Sequence, residues 1–326
     1  METRLAEGFV LYRLDRDFEA ALEVLLDADG RTPGDASVQE AIGYVHRRLG
    51  HWDEAIDRRE RAARLEPRRP GLLFSIGHTY HLMRRYELAE EWFHRLTVLA
   101  PRPGPNGPFE ARADLYSSLG DTAALRALIA ETPSDALELR STLRATLAYY
   151  GRRYDEALAE GGRLRIWPFA REVDETAGRA LLSHLAGREA ERDSIARELR
   201  ESAEEELRRR APEEINARAR AYARLALGQA LGGNADQALR AARASRATLS
   251  LDVDAYSGRY GEQRLAAVSL LVGNDQESID LLAELLRRPN ELTPRLLQLD
   301  PRLDPVRGDP RFVALLAERT ERLPPG

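Results

Sequence analysis

Two stretches decide the fold: residues 42–67, IGYVHRRLGHWDEAIDRRERAARLEP, and residues 76–101, IGHTYHLMRRYELAEEWFHRLTVLAP. Laid over one another at an offset of 34, Ile42-Gly43 falls on Ile76-Gly77, Ala55 on Ala89, Ala62 on Leu96 and Pro67 on Pro101, without an insertion. A fixed period of this length marks a chain built from stacked copies of one supersecondary unit. Just upstream, Gly8 is followed by Ala21, Leu25, Ala28 and Pro33, the same set with one residue added in the turn, so three tandem copies open the chain.

Each recurring position has a physical task. Gly8, Gly43 and Gly77 lie where a first helix must approach a second closely, and Ala21, Ala55 and Ala89 lie where the second helix returns that approach. Pro33, Pro67 and Pro101 stop each second helix, because proline has no amide hydrogen and its ring clashes with the preceding turn. Apolar residues at helical spacing, such as Ile76, Tyr80 and Met83, complete the buried stripe.

These units resemble the tetratricopeptide repeat, a helix-turn-helix of 34 residues with an alanine, glycine, aromatic and proline signature. His51-Trp52-Asp53-Glu54-Ala55-Ile56 and Arg85-Tyr86-Glu87-Leu88-Ala89-Glu90 look like its inter-helix turn and second-helix start. The resemblance implies an all-α, right-handed solenoid of about eight helix pairs with a C-terminal capping helix. Three regular repeats would occupy 1–102, five degenerate pairs 103–290, and an Asp-Pro-rich tail 291–326, in one continuous stack.

Beyond Pro101 the pattern loosens. Gly104-Pro105-Asn106-Gly107-Pro108 lengthens one connection, and a fourth pair follows over about 104–133. The fifth carries Gly151-Arg152-Arg153-Tyr154-Asp155-Glu156-Ala157 and ends near Trp167-Pro168. The sixth spans about 170–210, the seventh 212–248 around Gly232-Gly233-Asn234, and the eighth 253–288 around Gly273-Asn274-Asp275. In the tail, Asp300-Pro301, Asp304-Pro305 and Asp309-Pro310 are helix-start signals, and Asp309 is expected to cap a helix over 310–321. Phe312, Leu315 and Leu316 would cover the open face of the last repeat, as solenoid ends require. The tail and the opening repeats together resemble the C-terminal repeat region of bacterial signalling proteins that carry a serine/threonine kinase, a nucleotide cyclase or a winged-helix domain ahead of it. With Met1 at the first position of the first repeat, a stand-alone repeat protein and an excised fragment fit equally.

Composition removes several classes. At 43% hydrophobic and 32% charged, the chain can bury a continuous core under a solvated surface. A net charge of -5 gives no bulk attraction to nucleic acid or anionic membrane. All 49 basic residues are arginine, which fits G+C-rich codon usage. With no cysteine there are no disulfides, thiolate metal sites or cysteine nucleophile. No stretch reaches 18 apolar residues, and residues 1–14 lack a signal-peptide core, so membrane insertion is not expected and cytoplasm is the default placement.

Signs of chemistry are weak. His78 and His81, three apart, with His46 one repeat earlier, could be metal ligands, yet ordinary polar contacts in a groove explain them as well. Asp252-Val-Asp254-Ala-Tyr-Ser-Gly258 has calcium-loop spacing but carries Ser257 at the loop-glycine position and Gln263 where a bidentate glutamate belongs. Glu204-Glu205-Glu206 precedes Arg208-Arg209-Arg210 and neutralises it on one helix. No metal, cofactor or catalytic residue is assigned, and a non-enzymatic role is expected.

What remains is surface recognition. In tetratricopeptide repeats, groove side chains come from repeat positions 2, 5, 9, 12 and 13, and the resemblance carries these onto Phe9, Tyr12 and Arg13, then Glu40, Tyr44, Arg47 and Arg48, then Phe74, His78, His81 and Leu82. The set is aromatic and basic, and tyrosine and arginine are the residues that dominate interface energetics. A peptide or protein segment with acidic character and aromatic or apolar anchors is the expected partner. The carboxylate clamp of chaperone-tail binders is set aside, because it needs lysine and asparagine where this chain has Leu5 and Phe9. Two other readings stay open: a homodimer through convex or terminal repeats, and a small-ligand or enzymatic site in the central repeats near Trp167, Phe169 and 253–263.

Overall fold

The computed structural model describes residues 2–166 and 175–317. Among them there are helices and turns and no strand, and each helix packs chiefly against its neighbours in sequence. The chain divides into two compact units, one of residues 2–112 together with Leu251–Ser257, the other of 113–250 with 258–317.

In the first unit, α1 (Glu2–Val10) runs into a π-helical turn, Leu11–Asp15, which ends at Arg16 in a left-handed conformation (φ +56°). Then come α2 (Phe18–Arg31), α3 (Ala36–Leu49), α4 (Trp52–Leu65), α5 (Pro70–Leu82) and α6 (Tyr86–Leu99). The ends follow from local chemistry: the Asp17 carboxylate accepts from the Ala20 amide at 2.9 Å, Asp35 from Ser37 and Val38, and Pro70 opens α5. Each second helix stops two residues before Pro33, Pro67 or Pro101, at Arg31, Leu65 and Leu99.

The three helix pairs share one close-approach slot. A methyl group on Gly8 would come within 2.7 Å of the Leu25 side chain, one on Gly43 within 2.7 Å of Arg59, and one on Gly77 within 2.6 Å of Phe93. Leu25, Arg59 and Phe93 are spaced by the repeat period, and each is no more than 1% exposed. The slot that holds leucine and phenylalanine in the flanking repeats holds an arginine in the middle one.

The remaining helices are α7 (Pro108–Ser118), α8 (Thr122–Glu131), α9 (Leu137–Tyr150), α10 (Tyr154–Ala159), α11 (Glu175–Leu185), α12 (Glu189–Arg209), α13 (Ile215–Leu231), α14 (Ala235–Thr248), α15 (Arg259–Leu271) and α16 (Asp275–Leu286). After them come α17 (Pro294–Leu299), a 3₁₀ turn (Pro301–Val306) and α18 (Pro310–Ala317). Asp309 accepts from the Arg311 amide at 2.7 Å, and α18 packs against α16 and α17 with Phe312 fully buried. In the same unit, the Tyr149 hydroxyl donates to Asp300 at 2.6 Å, and Arg302 pairs with that carboxylate in the interior. The expected helix end at 318–321 and the residues Trp167, Pro168 and Phe169 lie outside the described residues.

One boundary differs from the sequence expectation. The eighth pair begins at Arg259 rather than near 253, because Asp254 turns its carboxylate back onto the amides of Tyr256 (3.1 Å) and Ser257 (2.7 Å). This side-chain turn competes with the helix for those donors, so 251–257 forms a separate segment.

Candidate partner-binding site

The inner-helix face of the first unit already has an occupant, the segment Leu251–Ser257. The Ala255 amide donates to the Arg48 carbonyl at 2.8 Å, one of the carbonyls left open at the end of α3. Asp254, with no exposed surface, receives Arg16 Nη2 at 2.8 Å and Arg48 Nη1 at 2.7 Å on one oxygen. Its other oxygen takes the two amides of its own turn, which leaves this carboxylate fully partnered. Arg48 also donates to the Tyr12 hydroxyl at 2.9 Å and to the Ser257 hydroxyl. Burial lowers the affinity of Arg48 for its proton, but Tyr12 and Asp254 outweigh burial and leave it raised.

Two residues further on, Tyr256 lies under guanidinium groups. Arg47 Cζ sits 3.8 Å from its ring centroid and Arg48 Cζ 5.0 Å, while His78 meets the ring edge-on at 6.0 Å. Cation–π contact of this kind stabilises by about 0.5–2 kcal/mol depending on desolvation.

Deeper in the same face lies a second cation. Arg59, from α4, reaches through the slot at Gly43 and donates to Thr79 Oγ1 at 2.8 Å, the atom that Arg47 also approaches at 3.4 Å. Thr79 in turn donates to the Ser75 carbonyl. Tyr44 lies against both, with Arg59 Cζ 4.5 Å and Arg47 Cζ 5.5 Å from its ring. Arg47 is 6% exposed and Arg59 0%, and neither forms an ion pair with a described carboxylate. Nε of Arg47 and both Nε and Nη2 of Arg59 are buried without a hydrogen-bond partner. Burial, then repulsion from Arg47, pushes Arg59 down to about 9, and burial lowers Arg47 too.

Of the residues expected from the sequence, Tyr12, Tyr44, Arg47, Arg48 and His78 are brought together around 254–257. Glu40 instead accepts from Tyr44 and pairs with Arg69 at 2.5 Å. Phe9 and the exposed Arg13 contact each other, Arg13 Cζ being 5.9 Å from the ring. Phe74 is buried between His78 and Phe93, and His81 beside Tyr86. His46 faces His51, with Nδ1 atoms 3.3 Å apart, so it does not join His78 and His81. Among the described residues, no group of three or more histidine and acidic side chains could hold a metal ion. Nor is any described helix long and apolar enough to cross a membrane.

Sequence reasoning did not place Arg16, Arg59, Asp254, Tyr256 or Ser257 on this face; it read 252–258 as calcium-loop spacing and 253–263 as a small-ligand candidate. Arg59 had a signal: an arginine in register with Leu25 and Phe93 is a charge in a core slot. The segment had none, because its aspartate meets Arg48 from 206 positions away.

A tetratricopeptide repeat family model matches residues 40–71, which span the second repeat's groove residues and slot arginine. No curated protein matches the chain. Among solved structures, a tetratricopeptide repeat protein from Parabacteroides merdae is similar at 15% identity with a TM-score of 0.52, covering 83% of this chain and 97% of that one. PilW, a type IV pilus biogenesis factor, aligns at 14% identity over 77% of this chain and 91% of its own, with a TM-score of 0.32. The fold is thus the tetratricopeptide-repeat α-solenoid fold, a fold that generally serves protein–protein interaction.

Proposed function

We propose that the chain is a non-catalytic scaffold that binds a segment of a partner protein on the inner face of its first three repeats. The observation that carries this reading is the capture of Asp254 by Arg16 and Arg48: the face holds a short acidic and aromatic turn of polypeptide by side-chain contacts and a backbone hydrogen bond. Guanidinium groups recognise carboxylates through charge-assisted hydrogen bonds, and the tyrosines add area without much conformational entropy. The partner is accordingly a peptide or protein segment with acidic residues and an aromatic or apolar anchor. The tail around 297–312 and the opening repeats favour a role in bacterial signalling or regulation, in the cytoplasm.

A pull-down from a lysate of the source cell tests the reading. The intact chain is compared with a Tyr44→Ala, Arg47→Ala, Arg48→Ala variant of unchanged circular dichroism. A partner lost only from the variant, and rebound as a synthetic acidic segment, supports a groove-binding scaffold. Identical partners on both baits sink it.

A further inference from the structure

Three guanidinium groups, from Arg16, Arg47 and Arg48, meet the segment Leu251–Ser257, and a fourth, that of Arg59, lies behind them against Tyr44 and Thr79. The segment offers them one buried carboxylate, Asp254, which Arg16 and Arg48 take. To Arg47 it offers the face of the Tyr256 ring, which accepts no conventional hydrogen bond, while Arg59 lies against Tyr44 and Thr79. One buried donor of Arg47 and two of Arg59 have no hydrogen-bond partner. The half of the face around Arg16 and Arg48 is matched to its occupant, and the half around Arg47 and Arg59 is not.

We infer that Leu251–Ser257 is an internal occupant that a partner replaces, and that the partner segment carries two carboxylates spaced as Asp254 and Tyr256 are, an Asp-x-Glu or Asp-x-Asp stretch. The inference rests on the groove reading above. Its first carboxylate takes the place of Asp254 on Arg16 and Arg48. Its second enters where the Tyr256 ring lies and receives the open donors of Arg47 and Arg59. Charge complementarity selects this occupant, since a second carboxylate supplies the acceptors that the phenol ring lacks. A tethered occupant competes at an effective concentration of roughly millimolar order, so a free peptide copying residues 252–257 binds poorly to the intact chain. Only a ligand that uses the unmatched half gains over it.

The test is fluorescence anisotropy with labelled Asp-Val-Asp-Ala-Glu-Ser, and with Asp-Val-Asp-Ala-Tyr-Ser as the matched control. Both are titrated into the intact chain, into an Asp254→Ala, Tyr256→Ala chain, and into that chain with Arg59→Leu added. The Glu peptide is expected to bind the emptied chain at least tenfold more tightly than the intact one, and at least tenfold more tightly than the Tyr peptide does. Adding Arg59→Leu should abolish the advantage of the Glu peptide over the Tyr peptide. Equal affinity for intact and emptied chains overturns the internal occupant while leaving the groove reading standing. Absence of binding to a folded emptied chain overturns both. Should the emptied chain lose its helical circular dichroism, hydrogen exchange on the intact chain decides: saturating Glu peptide should accelerate exchange at Ala255 and Ser257, and unchanged protection there overturns the inference.

Discussion

Replacing Arg59 by leucine should stabilise the first unit, although it deletes a fully buried side chain. The guanidinium is 0% exposed, has no carboxylate partner among the described residues, and shares its interior with Arg47. A fall from the ordinary 12.5 to about 9 corresponds, at about 1.36 kcal/mol per tenfold, to roughly 5 kcal/mol of penalty on the charged form. Leucine removes that penalty. It also forfeits the hydrogen bond to Thr79, about 1 kcal/mol, and leaves a void worth about 1–2 kcal/mol. The balance is a gain of about 2–3 kcal/mol at pH 7, within the range found when buried ions give way to apolar residues. Thr79 keeps its bond to the Ser75 carbonyl, and leucine already fills the equivalent slot at Leu25. The sign of the pH dependence is fixed as well. The folded-state value lies below the unfolded one for a base, so the penalty is complete below pH 9 and relieved as pH rises from 9 toward 12.5. At pH 10 the intact chain should recover about 1.4 kcal/mol, shrinking the variant's advantage. Urea unfolding followed by tryptophan fluorescence at pH 7 and pH 10 measures this. A variant destabilised by more than about 1 kcal/mol, or an advantage that does not change with pH, would refute the reasoning that Arg59 is an uncompensated charge.

Three further outcomes concern the second unit. Burial alone would raise the Glu291 carboxyl, but the Arg259 guanidinium at 2.7 Å overrides it and holds the group at about 2. Its contribution, about 3 kcal/mol, is therefore full above pH 4.5 and lost as pH falls through 2, so Glu291→Gln should cost about 3 kcal/mol at pH 7 and progressively less on acidification, read by urea midpoints at pH 7, 5 and 3. Phe312→Ala empties a fully buried site on α18 and should cost about 3–5 kcal/mol; thermal unfolding that stays within a degree of the intact chain would show that α18 does not cover its neighbours. Tyr149→Phe removes the buried donor to Asp300 and should cost about 1.5–3 kcal/mol, whereas an unchanged midpoint would mean that Arg302 alone satisfies that carboxylate.

The period of 34 residues determined the helix pairs, their proline stops and the glycine slots, because each unit in such a chain packs on its nearest neighbours and local pattern suffices. The same register already held Arg59 between Leu25 and Phe93, and placed Tyr12, Tyr44, Arg47, Arg48 and His78 on inner helices. Sequence spacing could not show that Tyr12 would move onto a π-helical turn and that Arg16, rather than Arg13, would face the site; that depends on how α1 ends against α2. Nor could it pair Asp254 with Arg16, 238 residues away, or lay Tyr256 over Arg47. Those contacts have no period and no local propensity behind them. Only tertiary folding decided them, because a carboxylate and a guanidinium distant in the chain meet where burial and charge leave each no better partner.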